Sequence, residues 1–300
     1  MKNLAGRILP KSVMNRIAPD WEPPAVVPVV RVSGVIGGSQ PWRGGVTLAA
    51  LAGPLEQAFS TYGAKAVAIV VNSPGGSPVQ SSLIFKRIRA LSEEKEIPVV
   101  IFAEDAAASG GYMIACAGDE IFADESSVIG SIGVISAGFG FTGLIEKLGV
   151  ERRIHTAGTS KGMLDPFQPE KEEDVNRLLN LQGEVHTYFK DLVKGRRGEK
   201  LAGEEDELFS GAFWAARGAL ERGLIDGIGD LRSVMRERFG EKVKLRLVSQ
   251  KRSFWPFGST AKSSQKAAVL PDFGPNFADS FADGVISALE RRSIWSRFGL

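Results

Sequence analysis

Ser109 lies in Ala106-Ala107-Ala108-Ser109-Gly110-Gly111-Tyr112, and Lys161 follows 52 residues on in Thr156-Ala157-Gly158-Thr159-Ser160-Lys161-Gly162. The pair offers a nucleophile and a base. A serine hydroxyl attacks poorly until a neighbour takes its proton. A lysine amine can take it only when neutral, and burial away from water favours that form. Ser131, in Gly130-Ser131-Ile132-Gly133, is placed to orient the amine by a hydrogen bond; its plain alternative is a turn serine. Ser109 has a plain alternative too, as a helix N-cap, and Lys161 as a solvated surface charge.

Acyl transfer also needs donors for a developing oxyanion. Asn72-Ser73-Pro74-Gly75-Gly76 follows an apolar run, and its two glycines allow a sharp turn with exposed N–H groups. An ordinary strand-to-helix turn is the other reading.

Histidine is the competing base. His155 precedes Lys161 and would need Asp165 or Asp119 to complete a triad with Ser109, whereas His186 falls inside a long helical pattern and reads as an ordinary face position. Two distant histidines make a poor metal-ligand set, so no metal site is expected. Cys116, the single cysteine, rules out an internal disulfide and reads as a buried small apolar residue.

The elements that must position these residues are legible as alternating patterns. Val26–Val35, Lys65–Val71 (KAVAIVV), Pro98–Phe102 and Glu120–Ala123 read as strands, the second as one buried on both faces. Leu48–Phe59 and a stretch opened by Ser77-Pro78 and carrying Val79, Leu83, Ile84, Ile88 and Leu91 read as helices. Beyond them, Leu144–Leu148, Glu170–Lys194, Ala212–Arg222 and Leu231–Phe239 read as helices, and Arg152–Thr156 and Lys242–Val248 as strands. Strand, glycine-bearing loop and helix in repetition predict a parallel α/β architecture.

The 300 residues are 43% hydrophobic and 24% charged, with a net charge of +2. That balance suits a globular chain with a real core and gives no reason to expect nucleic acid as a partner. Residues 1–25 form a basic segment carrying Lys2, Arg7, Lys11 and Arg16, which reads as a solvated tail or as a peripheral contact with an anionic membrane surface. The sequence has no run of about 18 apolar residues to span a bilayer, so the chain is read as cytoplasmic, with placement at the inner membrane face as the alternative. Residues 26–250 form the expected catalytic domain. Residues 251–300 read as a linker around Phe254-Trp255-Pro256-Phe257 and an amphipathic stretch from Asn276 to Leu300.

Five segments, taken in order, resemble the signal peptide peptidase A family of serine–lysine peptidases, its SohB-like short form in particular. They are Val71-Asn72-Ser73-Pro74-Gly75-Gly76, Ala108-Ser109-Gly110-Gly111-Tyr112, Val128-Ile129-Gly130-Ser131-Ile132-Gly133-Val134, His155-Thr156-Ala157-Gly158 with Lys161, and Ala219-Leu220-Glu221-Arg222-Gly223-Leu224-Ile225-Asp226. The resemblance implies a ClpP/crotonase-like fold of repeated ββα units with a largely parallel sheet. It implies Ser109 as nucleophile, Lys161 as general base, Ser131 as the lysine's partner, and the N–H groups of Gly76 and Gly110 as the oxyanion hole. It implies no metal or nucleotide. It further implies a homo-oligomer whose subunits share sites, acting on peptides, unfolded protein or membrane-protein and signal-peptide fragments. Many members carry a spanning segment near the N-terminus, and residues 1–21 do not resemble one.

The leading expectation is therefore a serine endopeptidase. A crotonase-type acyl-CoA enzyme is the second, with Glu104 and Asp105 as the tempting acid/base pair, and a non-enzymatic scaffold is the third.

Overall fold

The structure, a computed structural model, describes residues 23–37, 45–248, 295, 296, 298 and 299. The expected basic segment and the stretch after Lys251 lie almost wholly outside these residues.

Among the described residues, apolar runs with alternating faces build a sheet of eight strands: β1 (Val26–Ser33), β2 (Val67–Ser73), β3 (Val99–Ala108), β4 (Glu120–Ala123), β5 (Val128–Gly130), β6 (Phe213–Ala215), β7 (Gly227–Ile228) and β8 (Lys244–Val248). The main path runs β6-β5-β3-β2-β1-β8, with β4 and then β7 branching from β3. Pairing is parallel except between β5 and β6, so the expected α/β class with a largely parallel sheet is the one observed. The edge of β3 is divided: Val100–Ala103 pair with β4, and Ala106–Ala108 pair with β5. That fork carries the end of β3 toward β5.

Both sheet faces are apolar, as a parallel sheet requires. Val30, Val32, Ile69, Val71 and Ile101 face one core, packed by α1 (Leu48–Phe59), α2 (Pro78–Lys95), α3 (Gly110–Ala115), α5 (Glu172–Arg197), α6 (Glu205–Leu208) and α7 (Ala216–Glu221). Val27, Val29, Ala68, Val70, Val100 and Phe102 alternate with them and meet Met235 of α8 (Leu231–Phe239) on the other face. Ser77 caps α2 by accepting from the Gln80 N–H, with Pro78 as its first residue, as the sequence pattern predicts.

A buried ion pair clasps the C-terminal end of α5 to the turn before β7. Arg197 donates to Asp226 at 2.8 and 3.1 Å, while Asp226 also accepts from the Ile121 N–H and from Lys200. Burial alone would raise the Asp226 pKa, but the hydrogen bonds from Arg197 and Lys200 hold it below its ordinary value. Arg196 donates to the carbonyls of Cys116 and Gly118, tying the same helix end to the exit of α3.

Three expectations need correction. Arg152–Thr156 forms no strand; it is a largely exposed stretch with no ladder partner among the described residues, and a short run without one has nothing to bond its backbone. Ala212–Arg222 is not one helix. Phe213–Ala215 is taken by the antiparallel pairing with β5, and helix α7 starts only at Ala216, a tertiary override of local propensity. The long helix α5 begins at Glu172 and runs on to Arg197. Between Val134 and Lys171, α4 (Thr142–Lys147) buries no residue, and Ile135, Phe139, Leu144, Leu148 and Val150 are exposed.

Candidate active site

β3 ends on three buried alanines, and the chain then turns sharply at Ser109, whose φ of 52° and ψ of −121° lie where non-glycine residues are strained. Two backbone bonds hold that turn: the Ser109 N–H donates to the Gly130 carbonyl at 2.8 Å, and the Ser109 carbonyl accepts from Met113 at 3.0 Å. Its hydroxyl makes no capping bond to α3, so the N-cap reading of this serine fails. Strain concentrated at a nucleophile-type residue is a recurrent mark of function.

The loop after β2 is shaped by a serine that the sequence reading passed over. Ser73 is fully buried; its hydroxyl donates to the Gly34 carbonyl at 2.7 Å and accepts the Gly75 N–H at 3.2 Å. Gly76 bridges Ile36, which donates to the Gly75 carbonyl and accepts from the Ser77 N–H. In a parallel bridge of that pattern the N–H of Gly76 itself points away from Ile36, and Gly76 lines the cleft that holds Ser109. Both glycines are required. Gly75 and Gly76 have φ of 108° and 141°; a Cβ on Gly75 would stand 2.7 Å from the Ser109 Cβ, and one on Gly76 would collide with the Ile36 backbone. Gly110 is the first residue of α3, so its N–H has no intrahelical acceptor.

The cleft measures about 470 Å³ and is walled by Pro74, Pro78, Val134 and Ile135. Ser131 lines it as well, only 8% exposed, with φ of 54° and its N–H bonded to the Ala212 carbonyl at 2.7 Å. The adjoining Ile132 carbonyl accepts from His186 Nε2 at 3.1 Å. His186 therefore braces the cleft wall and is not on the ordinary helix face that its sequence context suggests.

The fold thus brings Ser109, Ser131 and Gly76 to one cleft, with the Gly110 N–H beside Ser109. It does not bring Lys161 there within one chain. Lys161 sits exposed in the turn after Gly158 and is not part of the cleft wall. The competing groups are placed elsewhere too. His155 is exposed. Asp119 binds Arg89 and the Val99 N–H, and Asp165 binds Arg152 and the Phe167 N–H. Glu104 and Asp105 line a separate depression, paired with Arg31 and Asn72. Cys116 is buried, and burial pushes its thiol up to about 12, which keeps it from nucleophilic use.

A strained strand-to-helix serine beside glycine N–H groups is the layout of an acyl-transfer hydrolase. Residues 92–245, just over half of the chain, match peptidase family S49, and the chain belongs to that family, the serine proteases that include the signal peptide peptidase A and SohB types. Its relatives differ in what surrounds this unit. A Brucella abortus (strain 2308) protein named Na(+)/H(+) antiporter NhaA is 51% identical over 275 residues, 91% of this chain and 37% of its own length. Serine protease SPPA, chloroplastic, of Arabidopsis thaliana is 35% identical over 168 residues, 56% of this chain and 24% of its own. The chain thus spans little more than a third of the Brucella protein. Among solved structures, a mutant of the 1510-N membrane-bound stomatin-specific protease in complex with a substrate peptide overlays with a TM-score of 0.46 at 16% identity, covering 76% of this chain and 94% of that one.

Proposed function

We propose that the protein is a serine endopeptidase in which Ser109 attacks a peptide carbonyl and the N–H groups of Gly76 and Gly110 hold the oxyanion. The observation that carries this reading is the strained conformation of Ser109, its hydroxyl unused as a helix cap, in the cleft that Gly76 lines. Ser109 Oγ bonds to the carbonyl carbon, its proton passes to the base, and the leaving amine takes that proton as the peptide C–N bond breaks. A water molecule, deprotonated by the same base, then releases the acyl group and restores Ser109.

The base in this reading is Lys161, with Ser131 as its hydrogen-bond partner. The exposed turn that carries Lys161 supports delivery to Ser109 of a neighbouring copy. The apolar side chains of Ile135, Phe139, Leu144, Leu148 and Val150 on the same arm suit a surface that such a copy covers. Covering it would exclude water from the amine and favour its neutral form. Substrates would be extended peptides or unfolded segments, including membrane-protein and signal-peptide fragments, that enter along Pro74, Pro78, Val134 and Ile135. Among the described residues no helix is long and apolar enough to cross a membrane.

Fluorophosphonate labelling followed by peptide mapping tests the reading. Labelling at Ser109 in the wild type, lost in Lys161→Ala although the variant assembles normally, is the expected result. A well-assembled wild type that does not label would overturn it.

A further inference from the structure

Trp295, Ser296, Phe298 and Gly299 lie far along the chain from the catalytic segments, yet Phe298 rests on β6, just after two residues that line the cleft. Its ring packs edge-on against Phe213, with centroids 5.0 Å apart and planes at 72°. Phe213 is close to the chemistry. It pairs with Gly130 in the β5–β6 ladder, and the Gly130 carbonyl holds the Ser109 N–H. The preceding carbonyl, on Ala212, holds the N–H of Ser131, and Ser210 and Gly211 line the cleft itself. Two residues of extended chain span about 7 Å, so the Phe213 backbone lies within about that distance of Gly211 in the cleft lining. Its neighbour Trp214 is engaged elsewhere, under the Arg222 guanidinium at 4.9 Å. Phe213 is 45% exposed with Phe298 against it, so the pair sits at the surface, where an incoming ring can displace Phe298.

We propose that Phe213 is an aromatic-binding subsite on the rim of the Ser109 cleft, filled in cis by Phe298, and that an aromatic side chain of a polypeptide substrate competes with Phe298 for it. The proposal rests on the serine-endopeptidase reading and adds to it a preference at one substrate position and a built-in competitor. An edge-to-face aromatic pair shifts such a competition by roughly 2- to 10-fold.

The test uses the full chain as wild type, Phe298→Ala, Phe298→Tyr and Phe213→Ala, with a small fluorophosphonate probe and fluorogenic alanine-based peptides in which one phenylalanine is moved along the sequence. In Phe298→Ala, KM should fall 2- to 10-fold for peptides with phenylalanine at one particular position. The all-alanine peptide and the small-probe labelling rate should not change. Phe298→Tyr should behave as wild type, and Phe213→Ala should erase the positional preference. Normal labelling with KM unchanged for every peptide in Phe298→Ala overturns the subsite alone. So does a uniform change across all peptides and the small probe, which would mark general loosening. Absence of Ser109 labelling in every protein overturns the endopeptidase reading and the subsite with it.

Discussion

At the scale of single residues, the site depends on backbone conformations that its sequence tolerates only under constraint. Ser109 holds φ of 52° and ψ of −121°, a sparsely populated region that costs a non-glycine residue about 1–3 kcal/mol. Ser109→Gly should therefore be more stable than Ser109→Ala by about 1 kcal/mol in denaturant unfolding, with both variants silent in peptide cleavage. Equal stabilities would show that the turn is not strained. Gly76→Ala is expected to behave differently: a Cβ there meets the Ile36 backbone, so the melting temperature should fall along with a loss in kcat of about 10²–10³ if the N–H serves the oxyanion. The glycine pair and the serine were legible in the sequence because such turns need those residue types. Ser73 and His186 were not, since a serine before proline and a histidine at mid-helix are common, and only packing aims the one at Gly34 and Gly75 and the other at Ile132.

At the scale of elements, the clasp between α5 and the turn before β7 gives a sharper test than any surface pair. Arg197 is 3% exposed and its partner is Asp226. Removing one member of a buried pair leaves the other uncompensated, so Asp226→Ala should cost about 3–5 kcal/mol of unfolding free energy. The pH dependence follows from the depressed Asp226 value. A carboxylate with a lowered folded pKa adds stability in full above its unfolded pKa, near 4, and loses it as pH falls through the folded value. Acid unfolding should therefore begin at a higher pH in Lys200→Ala, which removes one of the bonds that depress Asp226; an unchanged acid midpoint would refute this. Element types were readable where patterns were strong, as in β2, α2 and α5. The sequence misled at Phe213–Ala215, where local pattern favours helix and only the exposed edge of β5 supplies a strand partner.

At the scale of the whole molecule, the separation of Lys161 from Ser109 leads to a prediction about assembly. If each cleft takes its lysine from a neighbour, mixing inactive Ser109→Ala and Lys161→Ala chains should restore activity at about one quarter of the interfaces in a randomly assorted ring. Peptide cleavage by the mixture after co-refolding checks this, and continued silence would place both residues in one subunit. The exposed apolar arm from Ile135 to Val150 should then be protected from hydrogen exchange in the assembled state. What the sequence determined by itself was local: buried strands from continuous β-branched runs, turns from paired glycines, a capped start for α2, and the residue types that acyl transfer requires. Only the tertiary structure decided which of these meet. The fork of β3 and the antiparallel return of β6 set Ser131 beside Ser109 and leave Lys161 outside, because side-chain proximity between residues far apart in the chain comes from sheet pairing and packing, which no local pattern encodes.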